Sequence, residues 1–157
     1  MTAQQISFVR DSLPAALAAG TAYNMNPSVI LAQAAFESGW GTSQLAREAH
    51  NFFGITAYGC SNEHWHGQKY AVHTSHYDLD FRRYGSRESS FLDFARLVRN
   101  SYRTAWSKSD NPAAYAHEIA YSRYINELNG DDRETYRRSL IQIERTVQAV
   151  IQLTRDN

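Results

Sequence analysis

The 157 residues suit one domain, and 16 basic residues balance 16 acidic ones. That balance argues against a nucleic-acid-binding surface and against steering by a strong net field. No apolar run approaches the length of a membrane span, and Cys60, the single cysteine, has no partner for an internal disulfide.

In chain order, Thr2 can cap a first helix that carries Ile6, Val9, Leu13 and Leu17 at helical spacing. Pro14 should bend or split this helix, and Gly20 should stop it. Asn26-Pro27 reads as a cap followed by a first-turn proline and opens the next helix. Val29, Ile30, Ala34 and Phe36 spread apolar surface nearly all round it, so it is predicted central and buried. Near its end stands one acid, Glu37, and Gly39-Trp40-Gly41 then breaks the pattern. Desolvation at such a place disfavours the charged carboxylate and raises its pKa, as a general acid needs near neutral pH. The alternative is a helix-end Glu bonded to a backbone N–H or to an arginine. Thr42 or Ser43 caps a short helix to about Ala49.

From 58 the character changes. Tyr58 to Gly67 is a polar loop that holds Cys60, and Lys69 to Phe81 alternates loosely as a β-hairpin with its turn near Thr74–His76. His64, His66, His73 and His76 raise the question of a metal. No cysteine pair or His-Glu helix motif accompanies them, so they are read as surface or groove-lining, and neither a metal nor another cofactor is assigned. Ser86 caps a helix with Phe91, Phe94, Ala95 and Val98 on one face, and Asn111-Pro112 opens another. Asn129-Gly130 is a turn, and Asp131 with Glu134 matches a capping box. The last helix carries Leu140, Ile143, Val147 and Val150 or Ile151. There are no repeats and no linker. The whole is mostly α (α+β), one domain over 1–157, with a small β-lobe at about 58–83.

Two blocks carry a resemblance. Ala32-Gln33-Ala34-Ala35-Phe36-Glu37-Ser38-Gly39-Trp40-Gly41 is followed by Asn51, Phe53, Gly54, Ile55 and Ala57, with Thr56 in a slot that usually holds Lys. Further on come Phe81-Arg82-Arg83-Tyr84-Gly85-Ser86, Ser90 and Asp93. Together they resemble the peptidoglycan glucosaminidases of glycoside hydrolase family 73, which include flagellar-rod hydrolases and many autolysins. Within that resemblance, a secreted antibacterial effector of the type VI kind is the expectation for this chain. The resemblance implies a lysozyme-like helical lobe and a β-hairpin lobe facing each other across an open groove. It implies Glu37 as general acid and Tyr124 as a second catalytic candidate. Trp40, Phe53, His76, Asp78 and Asp80 are then expected near the sugars. The ten tyrosines suit sugar stacking, though they also fill cores.

The sequence departs from the family at two places. Thr74-Ser75-His76-Tyr77 stands where many members carry T-x-E-Y, so the acid is replaced by His76. Tyr124-Ile125-Asn126-Glu127 stands at Y-A-T-D, with Leu128–Arg133 read as an insertion. Glu63, Asp78 or Asp80 then remain candidates for a second carboxylate, and the substrate's own acetamido group is the other route. Arg82 and Tyr84 read as anchors between the β-lobe and the next helix.

The expected activity is an endo-β-N-acetylglucosaminidase acting on the GlcNAc-β-1,4-MurNAc bond of the peptidoglycan glycan strand. The alternatives are a muramidase or lytic transglycosylase of similar shape, a phage endolysin, or a silent glycan-binding module. Residues 1–20 show no secretory pattern. A wall hydrolase of this kind is expected to be made in the cytoplasm and delivered as a toxin to the periplasm of a target cell. An immunity protein plugging the groove is the expected partner, with no nucleic acid and no membrane.

Overall fold

The computed structural model describes residues 1–125 and 130–156, apart from the side chains of 130 and 131. Helix α1 spans Ala3–Tyr23 and opens on a full capping box between Thr2 and Gln5. Pro14 does not split it. Its ring is exposed, while Phe8, Val9, Ala15, Ala16 and Ala19 hold the inner face in the core. Burial of that stripe outweighs one missing hydrogen bond. Gly20 does not stop the helix either, which ends at Asn24 in the left-handed region (φ 52°). The glycine serves close approach instead, because a Cβ there would lie 2.6 Å from the Met25 carbonyl oxygen.

Helix α2 (Pro27–Ser38) starts at the Asn26 cap and is buried from Ser28 to Ala35. It packs against α1 on one side and against α7 (Gly130–Arg155) on the other. Its small alanines let both neighbours come close. Ser43 caps α3 (Gln44–Ala49). Past it, fully buried Asn51 organises the next loop. Its Nδ2 donates to the Ile55 and Arg82 carbonyls at 3.0 and 2.9 Å, and its Oδ1 accepts from the Phe53 and Ile55 amides at 3.2 Å each.

Strands β1 (Lys69–His73) and β2 (Asp78–Arg82) pair antiparallel, with Tyr70 opposite Phe81 and Val72 opposite Leu79. No Asn-Gly fixes the turn. The Thr74 hydroxyl does so by accepting the His76 and Tyr77 amides at 3.1 and 3.0 Å. Thr56 bridges Phe81 on the free edge of β2, which ties the Asn51 loop to the hairpin.

The hairpin is anchored by Asp93 on α4 (Arg87–Ser101), the helix capped by Ser86. Asp93 is fully buried and accepts from Arg82 at 2.7 Å, Asn62 at 3.0 Å and Arg96 at 3.1 Å, and also from the Tyr84 hydroxyl. The Arg82 guanidinium stacks 4.2 Å from the Trp65 ring centroid. A short helix, α5 (Arg103–Ser107), follows without a side-chain cap, and Asn111 caps α6 (Pro112–Ala120). On α7, Leu140, Val147 and Val150 are buried, with Ile143 and Ile151 partly so. Helix α7 begins at Gly130, ahead of the expected Asp131 cap, while Asn129 of the expected turn, the Asp131 side chain and the Asn126-Glu127 pair lie outside the described residues. The result is the mostly helical, lysozyme-like arrangement with a small hairpin lobe.

Candidate active site

Glu37 is the penultimate residue of α2, half-buried where the apolar helix meets a groove. Its Oε1 accepts a hydrogen bond from the Tyr136 hydroxyl at 3.0 Å, and the Phe36 and Tyr136 rings lie 4.6 Å apart. Behind Tyr136 stands Gln33, fully buried and one helical turn before Glu37, so both project from one face of α2. The Gln33 amide nitrogen lies 3.5 Å from the Tyr136 oxygen, and its carbonyl accepts from the Tyr115 hydroxyl. A chain of donors therefore runs from Tyr115 through Gln33 and Tyr136 to the carboxyl.

Burial pushes the Glu37 pKa above the usual carboxylate value, while the Tyr136 hydrogen bond pulls it down. Burial and then the Glu37 charge push Tyr136 well up, so it stays a donor. The Tyr124 hydroxyl is pushed up in the same order, by burial and then by Glu37.

The groove holds about 640 Å³. Its lining is drawn from Phe53, Gly54, Ile55 and Thr56 of the Asn51 loop, from Tyr102, Tyr124 and Tyr136, and from Leu79 and Phe81 of the hairpin. Phe53 is buried and stacks on Phe94 at 4.0 Å, so it supports the floor. Tyr124 packs edge-on to Phe94 and Tyr102. Tyr58, 71% exposed, stands at the rim. Glu37 is the only carboxyl among the described lining residues.

Of the residues singled out from sequence, Glu37, Phe53 and Tyr124 meet in this groove. Trp40 packs edge-on against Phe8, 6.0 Å between centroids. It follows the left-handed Gly39 that ends α2 and is itself left-handed (φ 56°). Asp78 and Asp80 are exposed, and strand alternation turns them away from the face of Leu79 and Phe81. Asp78 pairs with His73 at 2.8 Å, and His76 lies exposed in the hairpin turn. Glu63 sits near Tyr23, whose hydroxyl lies 2.6 Å from His64 Nε2, and does not line the groove. Among the described residues, no group of three or more His, Cys, Asp and Glu is placed to hold a metal ion. Cys60 is exposed.

The sequence model of the Glucosaminidase family (mannosyl-glycoprotein endo-beta-N-acetylglucosaminidase) matches residues 13–149. The chain belongs to the glucosaminidase family. Among curated relatives, the peptidoglycan hydrolase FlgJ of Pseudomonas aeruginosa is 28% identical over 94% of this chain. The chain spans 38%, 48% and 41% of the length of three FlgJ relatives that it matches. The glycoside hydrolase domain of Salmonella typhimurium FlgJ superposes with a TM-score of 0.75 at 24% identity, covering 96% of this chain and 92% of that one. A type VI secretion system effector-immunity complex from Pseudomonas protegens gives 0.73 at 20% identity, covering 96% of each chain.

In this glucosaminidase groove, sequence reasoning overlooked Tyr136, Gln33, Tyr102 and Tyr58. The spacing of Gln33 and Glu37 was a usable signal, since residues four apart share a helix face. Tyr136 carries no local signal, because its partner lies 99 residues away.

Proposed function

We propose that this chain is a peptidoglycan hydrolase, an endo-acting N-acetylglucosaminidase that cuts the β-1,4 bond between N-acetylglucosamine and N-acetylmuramic acid. Residues 1–157 are read as one catalytic domain. The observation that carries this reading is Glu37: a carboxyl with raised pKa at the end of an apolar helix, opening into a tyrosine-lined groove. Family membership and the FlgJ relatives support the substrate class.

In the proposed reaction, protonated Glu37 gives its proton to the leaving glycosidic oxygen as the C1–O bond breaks. The oxocarbenium-like centre at C1 is captured by the substrate's 2-acetamido oxygen, which closes an oxazolinium ring. Water then attacks C1 and gives its proton to the Glu37 carboxylate. The C1–O bond of the ring breaks, the acetamido group and free sugar form, and Glu37 is protonated again. Support for acetamido assistance is the lack of a second carboxyl among the described lining residues. Tyr124 is proposed to hold the reacting sugar or its acetamido group, and Phe53 to support it from beneath through Phe94, against which both rings pack.

The test is digestion of purified peptidoglycan, reduction of the products and mass spectrometry. N-acetylglucosaminitol ends are expected. Muramitol or anhydromuramic ends would assign a muramidase or a lytic transglycosylase instead, and binding without release would assign a silent glycan-binding module.

The setting we infer is delivery to the periplasm of a target cell, with an immunity protein plugging the groove. Its support is the fold shared with a chain of the type VI secretion system effector-immunity complex from Pseudomonas protegens. Expression with and without an added export signal tests it. Toxicity only on export, abolished in Glu37→Gln, is expected; equal toxicity without export contradicts it.

A further inference from the structure

The groove has a neighbour on the surface. Tyr102 lines both the groove and a neighbouring depression of about 430 Å³. The next segment does the same, with Tyr124 and Ile125 on the groove and Ser122 and Arg123 on the depression. A polymer lying in the groove therefore passes directly beside this second space.

The depression is lined by two guanidinium groups, Arg103 and Arg123. Arg123 lies over the Tyr102 ring, 5.3 Å from its centroid, and Nη2 reaches the Ser101 carbonyl at 3.4 Å. Arg103 lies over Trp106 at 5.5 Å and donates to the Arg99 carbonyl at 3.4 Å. Stacking restrains a planar guanidinium and leaves N–H edges for an anion. One acid, Glu118, lines the same space, and Lys108 engages it at 2.8 Å. Nearby Glu134 is held by Arg137 and by the Tyr121 hydroxyl. The lining therefore keeps a positive excess beside a groove whose own lining holds the Glu37 carboxyl.

We propose that this depression is a carboxylate subsite. Arg103 and Arg123 bind a carboxylate on the peptide branch of the polymer whose backbone occupies the groove. The proposal rests on the peptidoglycan reading above and deepens it: the enzyme reads the charged branch as well as the sugar chain. Guanidinium and carboxylate match as paired donors and acceptors, which gives both strength and orientation. A neutral polysaccharide forgoes this contact.

The experiment uses peptidoglycan in two forms, native and with its carboxylates converted to carboxamides by carbodiimide and excess ammonium. Apparent KM and kcat are measured for wild type and for the double variant Arg103→Gln, Arg123→Gln, with circular dichroism to verify folding. For wild type, amidation should raise KM by about tenfold, the scale of a charge-assisted pair, with kcat little changed. The double variant should show the raised KM on both polymers. Arg103→Lys with Arg123→Lys should recover part of the loss on the native polymer. Wild-type KM in the double variant, or equal losses on both polymers, would overturn the subsite. Co-sedimentation with both polymers separates the two readings. Wild type that digests neither sinks the peptidoglycan reading, whereas wild type that binds native polymer no better than amidated sinks the subsite alone.

Discussion

The Tyr136 hydroxyl donates to Glu37 Oε1 at 3.0 Å, joining the end of α2 to α7 across 99 residues of chain. This contact stabilises the charged carboxylate, while burial favours the neutral acid. The balance between them sets the pH range over which Glu37 holds a proton to give.

Tyr136→Phe removes the opposing contribution and keeps the ring against Phe36. The Glu37 pKa should rise further, so the alkaline limb of the pH–rate profile should move to higher pH. The measurement is kcat/KM against pH on peptidoglycan. An unmoved or downshifted limb would contradict the coupling.

Glu37→Gln should also affect stability in a pH-dependent way. A carboxyl whose folded pKa is raised contributes stability below its unfolded pKa, and loses it as pH rises through the folded value. Near neutral pH the buried charge is therefore a cost that glutamine lacks. Thermal unfolding should show a higher Tm for the variant at pH 7, and a smaller gain or none at pH 4.

Asp93 works with the opposite sign. Burial pushes its pKa up, but hydrogen bonds from Tyr84 and Arg82 with the Arg82 charge outweigh that and hold it low. Its contribution is present above the unfolded value and is lost as pH falls through the folded one. Asp93→Asn strands the charge of Arg82 and should cost about 3–5 kcal/mol at pH 7 by urea denaturation, less at acid pH. Because Asp93 ties the β-lobe to α4, protease should cut the variant first within 58–83.

How much of this was legible follows the range of each interaction. Glu37 stood out because its signal is local: an apolar helix, one acid, then a glycine break. The hairpin was legible from alternation, but not which strand face meets the groove. That parity is set by Phe81 bridging Thr56 and by Arg82 reaching Asp93, contacts between distant segments. Hence Asp78 and Asp80 stood as candidates although they face outward. The stop expected at Gly20 failed because a glycine also serves close packing. Helix α5 escaped notice because five residues without a side-chain cap leave no pattern.

The outward placement of these acids gives a further prediction. Asp78→Asn, Asp80→Asn and Glu63→Gln should each retain activity within a factor of a few on peptidoglycan, with His76→Ala alongside. One carboxylate variant as inactive as Glu37→Gln would contradict acetamido assistance and name the second group.

The central claim is that Glu37 supplies the proton. Release of soluble muropeptides from purified peptidoglycan by wild type and by Glu37→Gln tests it most directly. Glutamine keeps the shape and removes the proton, so the rate should fall by about 10²–10⁴-fold in a variant that still folds and binds the polymer. A Glu37→Gln protein that digests within a factor of a few of wild type would contradict the account.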